Sequence, residues 1–309
     1  MKTLYGIGAV PTDWPASVIS IGKFDGVHTG HRAVISELKS LAEHDGLAAV
    51  VVTFDRHPLA LLSPDDCPIA LVSTEQKLDL LAETGIDATL VLEFNESLSS
   101  LPPEQFIENI LVNSLRARDV LVGRDFRFGA KGAGDVDLLQ RLGGQYGFGV
   151  RLIDDVKPDN IRRVSSTWIR ELLSSGDVRA ASRLLGHVPA VRGIVVHGAA
   201  RGHELGFPTA NLSPESEGLI PADGVYAGWL TDTGIRYPAA ISVGNNPTFE
   251  GVPQKQVEAY VLDREIDLYD HLIEVSFVER IRGMVAFTGI DPLIAQIRDD
   301  VERVREIVG

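Results

Sequence analysis

The sequence predicts a two-domain α/β protein in which a parallel-sheet domain precedes a small antiparallel β-barrel. The chain has 309 residues, more than the ~250–300 over which one hydrophobic core commonly extends. Strand and helix patterns alternate as far as about residue 185, which is typical of a doubly wound sheet. Short strands separated by Gly, Pro and Asn turns then predominate, as in antiparallel barrels. We expect domains at residues 1–186 and 187–309.

In the first domain, apolar runs mark the strands and capping residues mark the helices. The run Leu47–Phe54 is continuous and β-branched, which is typical of a strand buried on both faces. We expect the other strands at Ser17–Gly22, Ala88–Phe94, Asp119–Gly123 and Gly149–Ile153. We expect helices from near His31, from a Ser73–Gln76 capping box to Gly85, from Pro102 or Pro103 to about Leu115, and from Asp135 to Gly143-Gly144. Ligands of such sheets bind beyond the carboxyl ends of the strands.

In the second domain, five apolar segments indicate barrel strands, at residues 191–198, 224–230, 237–244, 256–263 and 271–281. A terminal helix follows, which Asp291 caps and Pro292 starts. Helical periodicity divides its side chains into two faces. The predicted buried face holds Leu293, Ile294, Ile297, Val301 and Val304, and the predicted exposed face holds Arg298, Asp299, Asp300 and Glu302.

Composition and charge exclude several classes of protein. Hydrophobic residues make up 44% and charged residues 23% of the chain, as in a folded globular protein. The 29 Lys and Arg against 43 Asp and Glu give a net charge of −14, which disfavours a nucleic-acid partner. We find no apolar run of ~18 residues and no signal-peptide core, and Cys67 is the single cysteine. We expect a cytoplasmic protein without a membrane partner; a weak homo-oligomer stays open.

A ten-residue segment carries the densest chemical signal, Gly22-Lys23-Phe24-Asp25-Gly26-Val27-His28-Thr29-Gly30-His31. Its glycines permit tight turns and close approach to a phosphate, and a helix starting here directs its free N–H groups at that anion. Two imidazoles at the same helix start can donate to phosphoryl oxygens as charge develops. A turn with two surface histidines is the plainer alternative, and a zinc site lacks a third ligand.

This segment resembles the G-x-F-D-G-V-H-x-G-H signature of the bacterial bifunctional riboflavin kinase/FMN adenylyltransferases, also called FAD synthetases. Residues 51–58, 121–129 and 164–170 are similar to three later blocks of the same family. The resemblance implies a Rossmann-like nucleotidyltransferase domain that transfers an adenylyl group from ATP to FMN. It implies catalytic roles for His28 and His31, and ATP or phosphate binding by Gly22, Phe24, Asp25, Gly26, Gly30, Asp125, Ser165, Ser166, Thr167 and Arg170.

Two groups of residues in the matched blocks and nearby also have a physical interpretation. Ser165, Ser166 and Thr167 offer hydroxyls and N–H groups at a helix start, where Arg170 can clamp a phosphate, although an ordinary helix cap would look the same. By resemblance they bind the departing pyrophosphate. The candidates for the flavin side of the pocket are Phe54, His57, Pro58, Phe106 and Phe128. As aromatic or apolar residues, they can equally belong to the core.

A second chemical segment spans residues 198–211 and does not match the Walker A pattern. In an extended segment the side chains of Thr209 and Asn211 share one face, so both can reach one Mg²⁺. The alternative is a polar turn between barrel strands. The segment strongly resembles the G-F-P-T-A-N motif of riboflavin kinases, which supplies magnesium and ATP-phosphate contacts. The residues that the resemblance assigns to this task are Gly198, Gly202, Gly206, Pro208, Thr209 and Asn211.

Later kinase blocks are matched at residues 224–228, 243–249, 257–263 and 267–269. By resemblance Glu258 is the general base that accepts the proton of the riboflavin hydroxyl, and Arg282 lies near the flavin. A lone strand glutamate is otherwise a solvated residue. The chain departs from the family at three positions: Arg56 stands where many relatives have proline, Asp125 where several have asparagine, and His203 where some have lysine. Residues 283–287 lack the acidic and basic residues often found in the last kinase block.

The expected protein is a bifunctional enzyme that uses Mg²⁺ and ATP. It phosphorylates riboflavin to FMN in the second domain, and adenylylates FMN to FAD, with release of pyrophosphate, in the first. Two alternatives stay open from the residues alone: a nucleotidyltransferase that acts on another small phosphorylated substrate, and a flavin- or nucleotide-binding regulator derived from such an enzyme.

Overall fold

The computed structural model describes residues 1–158, 162–198, 206–244 and 255–309. These residues form two compact units, one comprising Met1–Ala70 with Thr74–Ser165 and the other Leu71–Ser73 with Ser166–Gly309. The units thus divide ahead of the boundary that we predict at residue 186, because two helices before the barrel cluster with it. The functional boundary stays a prediction.

A six-stranded parallel sheet forms the centre of the first unit, as predicted. Its strands follow the order β1-β4-β3-β2-β5-β6, and every pairing is parallel. Chain order reverses between β2 and β5, which is where an open α/β sheet forms its ligand crevice. The strands are β1 Lys2–Tyr5, β2 Ser17–Ile21, β3 Ala48–Phe54, β4 Ala88–Leu92, β5 Ala117–Gly123 and β6 Gly149–Ile153.

Helices cover both faces of this sheet. β2 is buried along its whole length; Val18 packs into one apolar cluster, whereas Ile19 and Ile21 pack into the other. Such two-sided burial is typical of a central parallel strand. The helices are α1 Thr29–Asp45, α2 Leu59–Leu62, α3 Thr74–Ala82, α4 Glu96–Ser99, α5 Pro103–Phe106 with a π-helical continuation over Ile107–Ser114, and α6 Val136–Tyr146, with 3₁₀ turns at Ile7–Ala9, Pro64–Asp66 and Ala130–Gly132.

The end of α6 differs from the prediction. The helix begins where expected, and Asp135 is its N-cap, since its Oδ1 accepts the N–H of Leu138 at 2.9 Å. Gly143 and Gly144, however, do not terminate it, and the helix ends at Gly147, whose φ is 82°. A Cβ on Gly143 would lie 2.7 Å from the carbonyl oxygen of Phe148, so this glycine permits close packing within the helix rather than a stop.

The second unit combines a helix pair with the predicted antiparallel barrel. The barrel closes in the order β10-β11-β8-β7-β12-β9. Its strands are β7 Ala190–Val196, β8 Thr209–Leu212, β9 Gly224–Asp232, β10 Ile235–Gly244, β11 Gln256–Val261 and β12 Leu272–Arg282. The helices are α7 Ser166–Ser175, α8 Val178–Leu185 and the terminal α9 Ile290–Val308. No helix among the described residues is long and apolar enough to cross a membrane.

The terminal helix packs on the barrel, with two corrections to the prediction. Val301 and Val304 lie in an apolar cluster with Trp229 and Tyr260, as its periodicity indicates. The N-cap, however, is Gly289 rather than Asp291. The other correction is Asp300, which we expected in water but which is only 4% exposed, because it pairs with an arginine of the barrel.

Candidate active sites

The start of α1, at the switch point of the sheet, holds the two predicted catalytic histidines. His28 is the N-cap, and its Nδ1 accepts the backbone N–H of His31 at 3.2 Å. The two rings stack with centroids 3.6 Å apart and 11° between their planes. A Cβ on Gly30 would lie 3.1 Å from the His28 ring, so the glycine between them makes room for the stack. The structure therefore brings His28, Gly30 and His31 together.

The turn before this helix start is strained and firmly tied to the sheet. Phe24, Gly26 and Val27 have φ values of 50°, 78° and 38°, a region that costs a β-branched residue ~1–3 kcal/mol. The N–H of Gly22 donates to the carbonyl of Val52 at 3.0 Å, which fixes the turn to β3. Such strain persists only where the surroundings impose it and is common at functional sites.

Burial makes both imidazoles neutral groups. It lowers the pKa of His28 to about 4. The pKa of His31 is also well below its usual value, first through burial and then through the charges of His28 and Lys23. Since Nδ1 of His28 accepts a hydrogen bond, the neutral ring carries its proton on Nε2. Nδ1 of His31 is buried and has no hydrogen-bond partner among the described residues. Buried polar atoms in native proteins are nearly always hydrogen-bonded, so a bound ligand is one partner that this nitrogen can take.

Residues from two neighbouring strands flank this helix start. Beyond β5, the carboxylate of Asp125 accepts a hydrogen bond from Arg163 at 2.8 Å, and Asp155 lies 3.6 Å from the same guanidinium. Beyond β3, Nε2 of His57 lies 3.2 Å from Nζ of Lys23. The predicted site residues Asp125 and His57 thus occupy the carboxyl edge of the sheet, where ligands of this fold bind.

The remaining predicted flavin residues of this unit have different environments. Phe54 is half-buried, with its ring against Phe94 at 5.5 Å, and Pro58 is half-buried in the same loop. Phe106 and Phe128 are 4% and 5% exposed in the main apolar core, with ring centroids 5.9 Å apart. Their burial shows a packing role, and their contact with flavin stays a prediction.

The predicted pyrophosphate-binding block includes residues on both sides of the point in the chain where the first unit ends and the second resumes. Ser165 is the last residue of the first unit, and Ser166 begins α7 in the second. The expected helix start is therefore confirmed. Thr167 and Arg170 lie in the first turns of α7, and their roles toward phosphate stay predictions.

In the barrel, strand register assembles the predicted kinase residues. Asn211 of β8 pairs with Glu258 of β11, and Thr209 pairs with Tyr260. Since opposed residues of antiparallel strands share a face, the side chains of Thr209, Asn211 and Glu258 project from the same side of the barrel wall. The register thus unites the proposed base with the two proposed metal ligands.

A cleft of about 510 Å³ is lined by Thr209 and Asn211, whereas Glu258 is not among its lining residues. Nδ2 of Asn211 donates to the carbonyl of Thr209 at 3.1 Å, which orients the amide. A Cβ on Gly198 would lie 2.5 Å from the Asn211 side chain, so this position requires glycine. Lining residues include Gly198, Pro208, Thr209, Asn211, Arg264 and Asp267. Gly206, with a φ of 82°, precedes Pro208, whereas Gly202 and His203 lie outside the described residues.

Arg282 is held by the terminal helix. Its Nη2 and Nε contact the carboxylate of Asp300 at 2.6 and 3.0 Å, and Gln296 donates to the same carboxylate at 3.0 Å. The guanidinium also lies 6.0 Å from the ring centre of Phe287. The pair fixes the guanidinium at the end of β12, and the predicted flavin contact stays a prediction.

Sequence reasoning missed several residues of these sites. Tyr269 lines the barrel cleft, and its ring lies 4.0 Å from that of His197. Tyr269 belongs to the matched block 267–269 without having been predicted as a site residue, and His197 directly precedes the segment 198–211. Lys77 is buried at the edge of the sheet, and its position one turn before the buried Leu81 on α3 was an available signal. No group of three or more His, Cys, Asp or Glu residues among the described residues could hold a metal ion.

Comparisons with known proteins agree for both units. A family model described as FAD synthetase matches residues 10–168, and one described as riboflavin kinase matches residues 185–308. Curated relatives named bifunctional riboflavin kinase/FMN adenylyltransferase include one from Escherichia coli K12, 39% identical over 100% of this chain and 97% of its own. One from Listeria monocytogenes is 36% identical over 99% and 98%.

A crystal structure from Streptococcus pneumoniae matches with a TM-score of 0.88 and 30% identity, over 99% of both chains. It is described as a macrolide-efflux protein, whereas both family models and the curated relatives name flavin synthesis. The structural match therefore supports the fold, and the models and relatives identify the chemistry.

Proposed function

The chain belongs to the bifunctional riboflavin kinase/FMN adenylyltransferase family, and from this premise we propose which residues perform each reaction. The enzyme phosphorylates riboflavin to FMN and adenylylates FMN to FAD, with ATP as co-substrate of both steps. We assign adenylyl transfer to the histidine pair at the start of α1, and phosphorylation to Thr209, Asn211 and Glu258. The register of β8 against β11 and the stacked imidazoles carry these assignments.

In adenylyl transfer, an oxygen of the FMN phosphate attacks the α-phosphorus of ATP, and pyrophosphate leaves. No covalent enzyme intermediate is needed, so positioning and charge stabilisation carry the catalysis. Nε2–H of His28 donates to a phosphoryl oxygen, and the N–H groups of the α1 N-terminus add a favourable dipole. The unpartnered Nδ1 of His31 supports a hydrogen bond with the substrates. Ser165, Ser166, Thr167 and Arg170 would receive the pyrophosphate.

In phosphorylation, Glu258 accepts the proton of the terminal hydroxyl of riboflavin as that oxygen attacks the γ-phosphorus. The hydroxyl of Thr209 and the amide oxygen of Asn211 suit Mg²⁺, which prefers a few hard oxygen ligands and shares its coordination with phosphates and water. Gly198 supports this fit, because a Cβ there would lie 2.5 Å from the Asn211 side chain and would displace the amide. Bound there, Mg²⁺ would neutralise charge on the transferring phosphate.

We also propose a cytoplasmic location, which the need of both reactions for ATP supports. The alternative of a regulator without activity would require the catalytic groups to be lost, yet His28, His31, Thr209, Asn211 and Glu258 are all present. The alternative of a nucleotidyltransferase for another phosphorylated substrate would assign no function to the barrel.

The test is to incubate the pure enzyme with riboflavin and Mg·ATP and to separate riboflavin, FMN and FAD by chromatography. The variant His28→Asn keeps a good helix N-cap but removes the imidazole, so its folding should survive. We expect it to accumulate FMN and to lose FAD synthesis by ~10²–10³. FAD synthesis at the wild-type rate would refute the assignment of the histidine pair.

The reciprocal variant is Glu258→Gln, which keeps the size of the side chain and removes the proton acceptor. We expect riboflavin phosphorylation to fall by ~10²–10⁴, while FAD formation from supplied FMN stays at the wild-type rate. Each variant thus serves as the folding control of the other. Kinase activity within about fivefold of wild type would show that Glu258 is not the base.

A further inference from the structure

A buried lysine lies beside the carboxyl edge of the parallel sheet. Lys77 of α3 is 8% exposed, and its Nζ donates to the carbonyl of Phe54 at 2.6 Å. Lysine is almost never this buried unless its charge is compensated. Burial lowers its pKa, whereas the carboxylates of Asp25 and Asp55 act in the opposite direction. The ammonium is thus hydrogen-bonded to the end of β3, and the negative charges of Asp25 and Asp55 favour its protonated form.

Both carboxylates belong to segments that contain proposed site residues. Asp25 belongs to the turn that leads to His28. Asp55 follows Phe54 at the end of β3, and its Oδ1 accepts the N–H of Phe94 at 2.8 Å. Its carbonyl accepts the hydroxyl of Thr74, at the start of α3, at 2.7 Å. The loop after β3 is thus tied to α3 and to the segment after β4. The turn after β2 is itself joined to β3, because the hydroxyl of Thr53 donates to the carbonyl of Lys23 at 3.1 Å, and Asp25 of this turn attracts the ammonium of Lys77.

We propose that Lys77 is a positioning residue for adenylyl transfer, whose ammonium fixes the turn of Asp25 against the loop of Phe54 and Asp55. This inference rests on the proposed function, because the turn leads to the histidines and the loop carries the proposed flavin contacts. The distance between the two segments decides how the FMN phosphate approaches ATP. A displacement of 1 Å in such a reaction can cost ~10² in rate.

The primary test is Lys77→Met, which keeps an unbranched apolar stem and removes the ammonium. A matched control is Lys39→Met, because Nζ of Lys39 also donates to a backbone carbonyl, that of Thr84, at 2.7 Å. Lys39 lies on α1 beyond the first turns that carry the histidines. We expect Lys77→Met to raise KM for FMN and to lower kcat of adenylyl transfer, each by about tenfold or more. We expect Lys39→Met to change neither parameter by more than about twofold.

Thermal denaturation of the same samples reports whether each variant is folded, and riboflavin phosphorylation shows that the second unit is unaffected. If Lys77→Met does not fold, Asp55→Asn replaces it, because the amide oxygen can still accept the N–H of Phe94 while the charge facing Lys77 is gone. That variant should show the same rise in KM for FMN, and wild-type constants in it would overturn the proposal.

Four further outcomes are decisive. Wild-type kinetic constants in folded Lys77→Met would overturn the proposal, and so would losses equal to those of Lys39→Met, which would indicate a merely structural lysine. If His28→Asn abolishes FAD synthesis and Lys77→Met does not reduce it, the positioning role alone fails. If His28→Asn retains FAD synthesis, the site assignment itself fails.

Discussion

Nδ1 of His28 accepts the backbone N–H of His31, while the two imidazole rings stack 3.6 Å apart. One ring nitrogen of His28 thus caps the helix, and the cap does not use the other, Nε2. The arrangement requires neutral rings, because a protonated Nδ1 cannot accept the capping bond. Burial favours the same state. Local structure and chemistry at this helix start therefore depend on the same protonation state.

The stability of the first unit should fall as the pH is lowered from about 6.5 toward about 4 through these two histidines. The pKa of His28 is lowered from 6.5 to about 4 on folding, so between these values the unfolded chain binds a proton that the folded chain excludes. Linkage then reduces the unfolding free energy by up to about 1.4 kcal/mol per pH unit for each such group. The loss ends once the folded group is also protonated.

Urea unfolding at several pH values measures this effect. The fluorescence of the buried Trp14 monitors unfolding of the first unit when Trp168 and Trp229, the other two tryptophans, are replaced by Phe. His28→Asn should flatten the dependence, because asparagine caps the helix without titrating. His44→Gln is the matched control, since the side chain of His44 is 84% exposed. Equal pH slopes in wild type and His28→Asn would show that the buried imidazole does not titrate on unfolding.

Gly198→Ala should impair the kinase reaction specifically. Its Cβ would lie 2.5 Å from the side chain of Asn211, so the amide must move from the orientation that its bond to the Thr209 carbonyl sets. We expect kcat/KM for riboflavin to fall by about tenfold or more and the Mg²⁺ concentration for half-maximal rate to rise. FAD formation from FMN by the same sample controls for folding. An unchanged Mg²⁺ titration would argue against a metal contact of Asn211.

The pair of Arg282 and Asp300 separates a structural role from flavin binding. Asp300→Leu alone leaves the partly buried guanidinium of Arg282 without its carboxylate partner, which should cost up to ~3 kcal/mol of stability. The double variant with Arg282→Met should recover most of this loss, because two apolar side chains pack in place of the ion pair. Thermal denaturation monitors both. If Arg282 also contacts flavin, KM for riboflavin stays raised in the double variant, and a wild-type KM would contradict that role.

The sequence predicted the architecture where patterns are local, and it failed where tertiary contacts decide. The parallel strands and the barrel follow from apolar periodicity, and the histidine motif identified its helix start. Asp300 of the terminal helix was wrongly predicted to be exposed, because helical periodicity contains no information about its partner Arg282 on a barrel strand. Gly143 was misinterpreted as a helix stop because its contact with Phe148 follows only from the packed structure. Short or polar strands such as β1 and β8 carry too few apolar residues to predict.

The boundary between the two activities can be tested with two fragments. α7 and α8 bury Leu173, Leu184 and Leu185, and the carbonyl of Leu173 accepts the N–H of Ala222 at 2.9 Å in the loop before β9. Arg179 of α8 also pairs with Glu279 of β12 at 2.6 Å. These contacts predict that residues 166–309 form a more complete folding unit than residues 187–309, because each buried leucine contributes ~1.5–3 kcal/mol.

We expect the fragment 166–309 to unfold cooperatively and to convert riboflavin to FMN. The fragment 187–309 should retain the kinase residues, but it should unfold more than about 10 °C lower because it exposes the barrel surface that these helices cover. Neither fragment should form FAD, since the histidine pair is absent from both. Calorimetry and product chromatography on the two fragments provide the comparison. Equal melting temperatures and equal kinase rates would instead support the boundary at residue 186, with the two helices as a linker that contributes nothing to the kinase.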